Sequence, residues 1–187
     1  MGRAREALGR PLLLAHRGAH NETIRENSLN ALVAGAAVFD GVEFDVRFSA
    51  EGTAVIVHDE TLDRLFGVPR RVSELSVSEL AGIGVPTLSE VLAAMPVTTL
   101  LDLELKEQPT DALFATLVAA RGAEAERVVL SSFSPSVLRT VEEHEPRCSR
   151  WLNACQRARA CVRSCVSALI SRPPLATPRC RCRLGAG

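Results

Sequence analysis

Glu43 and Asp45 stand two residues apart in the run Gly41-Val42-Glu43-Phe44-Asp45-Val46, alternating with Val42, Phe44 and Val46. That is the period of a β-strand, so both carboxylates point to one side. Held there they repel, and a cation between them is a physical reason for the pairing. A lone Glu-x-Asp is also common on solvated strands, so the other polar residues decide. Glu104 adds a third carboxylate, and three hard oxygen ligands favour Mg²⁺ or Ca²⁺ over zinc. His16 and His58 can exchange protons near neutral pH. Arg17 and Lys106 carry the positive charge a phosphate needs, Arg as a bidentate fork and Lys as a point charge. Together these groups describe phosphodiester cleavage.

The elements that must position them follow from the same sequence. Leu12 to Ala15 reads as a short buried strand ending at His16. Ser28 or Asn27 caps a helix whose Leu29, Leu32, Val33 and Ala36 share one face. The Glu43 strand comes next, and Ala54-Val55-Ile56-Val57 is a second extended run that delivers His58. Asp59 to Arg71 reads as a loop and Ser73 to Leu80 as a short helix. Thr87 caps another helix, with Glu90 as its capping-box partner. Val97 to Leu103 is a third strand that carries Glu104 and Lys106 at its end. A helix over Asp111 to Arg121, a strand over Val128 to Ser132 and a helix from Ser134-Pro135 to about Glu143 complete the pattern. Strands alternating with helices predict a parallel α/β sheet. In a (β/α)₈ barrel, residues at the C-terminal strand ends build the active site, and the unusual polar residues fall at those ends.

The motifs His16-Arg17-Gly18, Glu26-Asn27-Ser28, Glu43-x-Asp45, His58-Asp59, Pro86-Thr87-Leu88-x-Glu90 and Glu104-x-Lys106, in this order and spacing, resemble the glycerophosphodiester phosphodiesterase family. The resemblance covers about residues 11 to 143. It implies a TIM-barrel hydrolase that cuts glycerophosphodiesters into sn-glycerol 3-phosphate and an alcohol. It further implies that Glu43, Asp45 and Glu104 hold a divalent metal, that His16 and His58 are general acid and base, and that Arg17 and Lys106 bind the phosphate. In that family the glycerol hydroxyl attacks phosphorus first, and water then opens the cyclic phosphate. Glu26 and Asn27 are carried over as supports.

Several other polar residues have plainer readings. Asp59 orients His58 or caps a turn, and Glu90 is a helix cap. His20 and His144 match no motif and belong on the surface. Ser132-Phe133 resembles a family strand end, although a buried serine after a strand is common.

Composition divides the chain at about residue 147. All 22 acidic residues precede that point, against 13 basic ones, whereas the remainder holds nine arginines and all six cysteines. The division places a partial TIM-barrel domain at 11–146, with about four β/α units, and an irregular Arg/Cys-rich tail at 147–187, disordered or weakly helical. A complete barrel takes about 250 residues. The abrupt change points to a shifted reading frame or a truncated gene, the alternative being a genuine basic extension. The cysteine spacing shows no paired C-x₂-C zinc module. Arginines with Trp151 as their only aromatic companion argue against a specific nucleic-acid partner. No apolar stretch is long enough to span a membrane, and Pro11 to Ala15 is too short for a secretory signal, so a cytoplasmic location is expected. The expected partner is a small-molecule glycerophosphodiester. Two functional classes follow: a metal-dependent phosphodiesterase, or a non-catalytic truncated fragment of such an enzyme, inactive or acting only through a partner chain. The second expects an aggregation-prone chain with little hydrolysis, its open sheet showing apolar faces.

Overall fold

A computed structural model describes residues 11–153. Its centre is a parallel sheet in the order β1 (Leu14–His16), β2 (Gly41–Phe48), β6 (Leu100–Leu105), β7 (Val128–Ser132), β8 (Ser149–Leu152). Helices α1 (Leu29–Val38), α4 (Leu88–Ala94), α5 (Asp111–Arg121) and α6 (Pro135–His144) join or flank these strands. This is the arrangement of a partial (β/α)₈ barrel.

Alternation separates two chemistries on the sheet. Val42, Phe44 and Val46 of β2, Leu101, Leu103 and Leu105 of β6, and Val128 and Leu130 of β7 are buried with Leu32, Val91, Leu113 and Val141 of the helices. The opposite face carries Glu43, Asp45, Asp102, Glu104 and Ser131. The main apolar side of the sheet lies under helices and the side that a barrel turns inward is acidic, while at the open edge Trp151 and Leu152 of β8 are 38% and 47% exposed. Gly41 is required where β2 meets β6, since a Cβ there would lie 2.1 Å from the Leu100 carbonyl oxygen.

The capping signals hold. Ser28 Oγ accepts from the Ala31 N–H at the start of α1, and Thr87 with Glu90 forms a capping box on α4. The excursion between β3 (Ala54–Ile56) and α4 is more ordered than the predicted loop. There β4 (Thr61–Leu62) and β5 (Val68–Arg71) form a hairpin around the short helix α2 (Asp63–Phe66), followed by α3 (Val77–Ile83). A second small core of Val55, Val57, Leu62, Val72, Leu75, Leu80 and Val85 holds it. Those apolar residues are spaced too irregularly along the chain to announce a hairpin.

The strand pattern also continues past residue 146, where composition had placed the domain end. β8 pairs parallel with β7 from Val129↔Ser149 to Ser132↔Leu152, and Cys148 is buried in the main core. The arginine-rich composition hid this strand. Arg147 is paired with Glu145 at 2.8 Å and Arg150 with Glu142 at 3.1 Å, so these two tail arginines do have acidic partners. The fold thus holds the expected four β/α units and, beyond them, a fifth parallel strand among the described residues. The rest of the tail lies outside the described residues.

One buried cation holds two helices together. Arg121, 3% exposed, donates to the carbonyls of Pro96 at 2.6 Å, Leu92 at 3.2 Å and Met95 at 3.2 Å. The Leu92 and Met95 carbonyls lie at the C-terminal end of α4, whereas the Pro96 carbonyl, just beyond it, also accepts from the Thr99 N–H at 3.0 Å. Arg121→Met keeps the apolar stem but strips those acceptors. It is expected to destabilise the fold by roughly 3 kcal/mol, read as a lowered urea midpoint with an unchanged slope.

Candidate active site

Register brings the predicted polar residues onto neighbouring strands. His16 at the end of β1 pairs with Glu43, Glu43 with Asp102, and Asp45 with Glu104. Glu43, Asp45 and Glu104 each offer an oxygen within 4.8 Å of the others. Lys106 follows directly after β6, tied by its N–H to the Val46 carbonyl at 3.2 Å.

Asp45 is the centre of the cluster and only 1% exposed. Its Oδ2 accepts from Asn27 Nδ2 at 2.8 Å and lies 3.1 Å from Arg17 Nε. The Asn27 side-chain oxygen in turn accepts from the Asp45 N–H at 3.3 Å. The other oxygen, Oδ1, is buried without a well-aligned hydrogen bond, although the Lys106 ammonium lies 2.7 Å away as an ion pair. Lys106 also contacts Glu104 Oε1. An under-satisfied carboxylate oxygen facing two further carboxylates fits a hard divalent cation. The Lys106 ammonium lies against oxygens of two of these carboxylates.

The loop after β1 is shaped for close approach. Arg17 and Asn27 both adopt left-handed backbone, with φ of 56° and 57°. Such conformations are costly for residues other than glycine, and they cluster at functional sites. Gly18, at φ 83°, is needed because a Cβ would lie 2.4 Å from the α1 backbone at Ala31. The turn aims the Arg17 N–H at Glu43, whose carbonyl accepts at 2.9 Å and whose Oε2 accepts at 3.1 Å. The Arg17 guanidinium reaches Glu26 Oε1 at 2.9 Å.

The histidines are held differently. His16 Nε2 lies 3.9 Å from Glu43 Oε2. Burial, and after it the Arg17 charge, holds the His16 imidazole below its ordinary pKa. His58 follows β3, which pairs antiparallel with β2 and so stands outside the parallel set. The Val57 N–H binds the Asp45 carbonyl at 3.1 Å, and Arg47 Nε binds the His58 carbonyl at 2.9 Å. His58 Nδ1 meets Asp59 Oδ1 at 2.7 Å, which bears out the orienting role expected of Asp59. His20 is exposed, its charge adding to those acting on His16, and His144 stacks on Phe114 4.9 Å away on α5.

Sequence reasoning passed over Asp102. It is buried on the acidic face and accepts from Ser131 Oγ at 2.7 Å. Only its position two residues before Glu104 on the same strand could have flagged it. Burial pushes its carboxyl up to about 6, against the opposing effect of Ser131, with help from the Glu104 and Asp45 charges.

Glu43 is pushed up to about 8, first by burial and then by the Asp45 charge. A raised carboxyl gives stability that is present below its unfolded pKa and lost as pH rises through the folded value. The metal-free chain should therefore lose stability from Glu43 between about pH 4.5 and 8, and a bound cation should restore it. A cation held by Glu43 below pH 8 would have to displace its proton. Calorimetric titration in buffers of different ionisation enthalpy should show about one proton released at pH 7 and almost none at pH 9.

Fold and site together define an α/β-barrel protein with an acidic, cation-suited cluster at its strand ends. The chain belongs to the glycerophosphoryl diester phosphodiesterase family, which it matches over residues 16–162. A glycerophosphodiester phosphodiesterase of Caldanaerobacter subterraneus is 29% identical over 165 residues, covering 72% of this chain and 63% of the relative. The crystal structure of a Thermotoga maritima glycerophosphodiester phosphodiesterase is 30% identical with a TM-score of 0.65, covering 79% of this chain and 63% of that one. An Oleispira antarctica phosphodiesterase, solved with the product sn-glycerol-3-phosphate, is 25% identical with a TM-score of 0.61, covering 79% of this chain and 68% of the other. This chain thus spans a little under two thirds of the length of the first two. Among the described residues no helix is long and apolar enough to cross a membrane.

Proposed function

We propose that this site hydrolyses glycerophosphodiesters to sn-glycerol 3-phosphate and an alcohol, with Glu43, Asp45 and Glu104 as ligands of Mg²⁺ or Ca²⁺. The observation that carries the reading is the convergence of three carboxylates, one with a buried oxygen met only by the Lys106 ammonium, beside Arg17. When bound, the cation supplies Lewis-acid polarisation of phosphate and hydroxyl oxygens. The chain's own residues do the rest. Asn27 and Arg17 fix Asp45 so that it cannot rotate away from the cluster. Arg17 and Lys106 attract the phosphate and orient it. His16, held below its ordinary pKa, is suited to take the proton of the attacking glycerol hydroxyl. A phosphorus–oxygen bond forms to that hydroxyl, and the bond to the alcohol breaks. The departing oxygen takes a proton from His58, whose Nδ1 is occupied by Asp59, leaving Nε2 for transfer. Water then opens the cyclic phosphate with the proton roles reversed.

One observation favours a second reading, a half-barrel that binds cation and phosphate without turnover. The sheet ends at β1 and β8, with no further parallel partner for either edge among the described residues. Release of sn-glycerol 3-phosphate from glycerophosphocholine by the 187-residue chain, with and without Mg²⁺ or Ca²⁺, separates the two. Cation-dependent release supports the first reading. Product binding without release supports the second.

A further inference from the structure

We infer that Arg64 is a positioning residue for His58, pinning its partner Asp59 and tying both to the Arg17 side of the site. His58 lies on a segment outside the barrel strands, so the sheet alone does not aim its ring. Its carbonyl is fixed by Arg47, but the imidazole depends on Asp59, which sits at the surface of the same segment. Arg64 on α2 supplies the missing anchor. Its Nε donates to Asp59 Oδ2 at 2.5 Å while Asp59 Oδ1 holds His58 Nδ1 at 2.7 Å, so the two carboxylate oxygens are divided between ring and guanidinium. Its Nη2 donates to Glu26 Oε1 at 2.6 Å, the same oxygen that accepts from Arg17 Nη1 at 2.9 Å. Arg17 in turn lies against Asp45. A continuous polar chain therefore runs from His58 through Asp59, Arg64, Glu26 and Arg17 to Asp45.

Chemistry and exposure both say that this is orientation and not bulk stability. Arg64 is 48% exposed, and exposed ion pairs contribute little to folding. A planar guanidinium, however, directs its N–H groups rigidly, here Nε to Asp59 and Nη2 to Glu26, and so holds the two acids in a fixed relation that a single point charge would not. The bond to Arg64 is also the main cause that holds the Asp59 carboxyl below its ordinary range. A ring held by a fixed carboxylate keeps its proton on Nδ1 and presents Nε2.

The consequence for turnover rests on the phosphodiesterase reading, but the consequence for the ring does not. In the full-length metal-free chain at pH 8, ¹⁵N–¹H correlation spectra should show His58 as a single tautomer protonated at Nδ1. Arg64→Gln should mix in the Nε2-protonated form, and Arg64→Lys should restore the parent spectrum only in part. With glycerophosphocholine, Arg64→Gln should lower kcat about 10-fold and leave KM within about twofold, as expected for a misaligned proton-transfer group. In an Asp59→Asn background the same change should cost almost nothing more. Unchanged His58 nitrogen shifts in Arg64→Gln would overturn the inference, whatever the activity. A parent chain that shows the tautomer change on mutation but releases no product supports the positioning role and counts against the phosphodiesterase reading alone.

Discussion

Asp45→Asn should abolish cation-dependent release of sn-glycerol 3-phosphate, a fall of about 10³-fold or more, on the scale of the ~4 kcal/mol that a polarising metal supplies. The substitution is nearly isosteric, so it removes charge and leaves packing around β2 intact. It matters more than loss of either neighbouring carboxylate because Asp45 is engaged on every side. Asn27 and Arg17 hold Oδ2, and Lys106 faces Oδ1. An amide there cannot accept from all of these donors and ligate a cation. Asp45→Ala should also abolish turnover with little change in helix content, but it leaves Arg17 and Asn27 without their partner and should lower stability as well. Turnover that survives either change would place the cation elsewhere.

The second large effect concerns the imidazoles. His58→Ala and His16→Ala should each lower kcat by ~10²-fold or more, the usual scale for losing a general acid or base. The structure separates the two in kind. His16 stands at the end of β1, largely exposed with its Nε2 3.9 Å from Glu43 Oε2, so its loss should also alter the setting of that acid. His58 stands on the β3 excursion with its ring held by Asp59, so its loss should leave cation affinity unchanged. Equal loss of cation affinity in both variants would show that the excursion is a structural prop. A loss confined to KM would assign the histidines to binding.

Much of this site was legible because its chemistry is local in sequence. Glu43 and Asp45 announce themselves by strand alternation, Glu104 and Lys106 by the same rule, and Ser28 and Thr87 by capping offsets of three residues. What could not be read depends on partners far along the chain. Arg121 looks like an ordinary last-turn arginine until its three carbonyl acceptors, 25 to 29 residues earlier, are seen. Arg64 sits in a polar run read as loop, and its two acids lie 5 and 38 residues away. Asp102 was hidden by its neighbours, since Leu-Asp-Leu reads as a strand whether or not the acid is buried. β8 was missed for a different reason. Ser149-Arg150-Trp151-Leu152 does not alternate and sits in a basic stretch, and its arginine-rich surroundings are offset by Glu145 and Glu142 of the preceding helix end, which pair with Arg147 and Arg150.

The acidic cluster also poses a sharp alternative. The Lys106 ammonium already lies among the oxygens of Asp45 and Glu104, and a permanent internal ion pair would need no metal. Calorimetric titration of Mg²⁺ and of Ca²⁺ into the purified full-length chain at pH 8 distinguishes the two most directly. The account predicts one ion bound per chain, with binding lost in Asp45→Asn and Glu104→Gln variants whose circular dichroism matches the parent. Absence of binding by the parent at millimolar cation, or binding that persists in both variants, would contradict it.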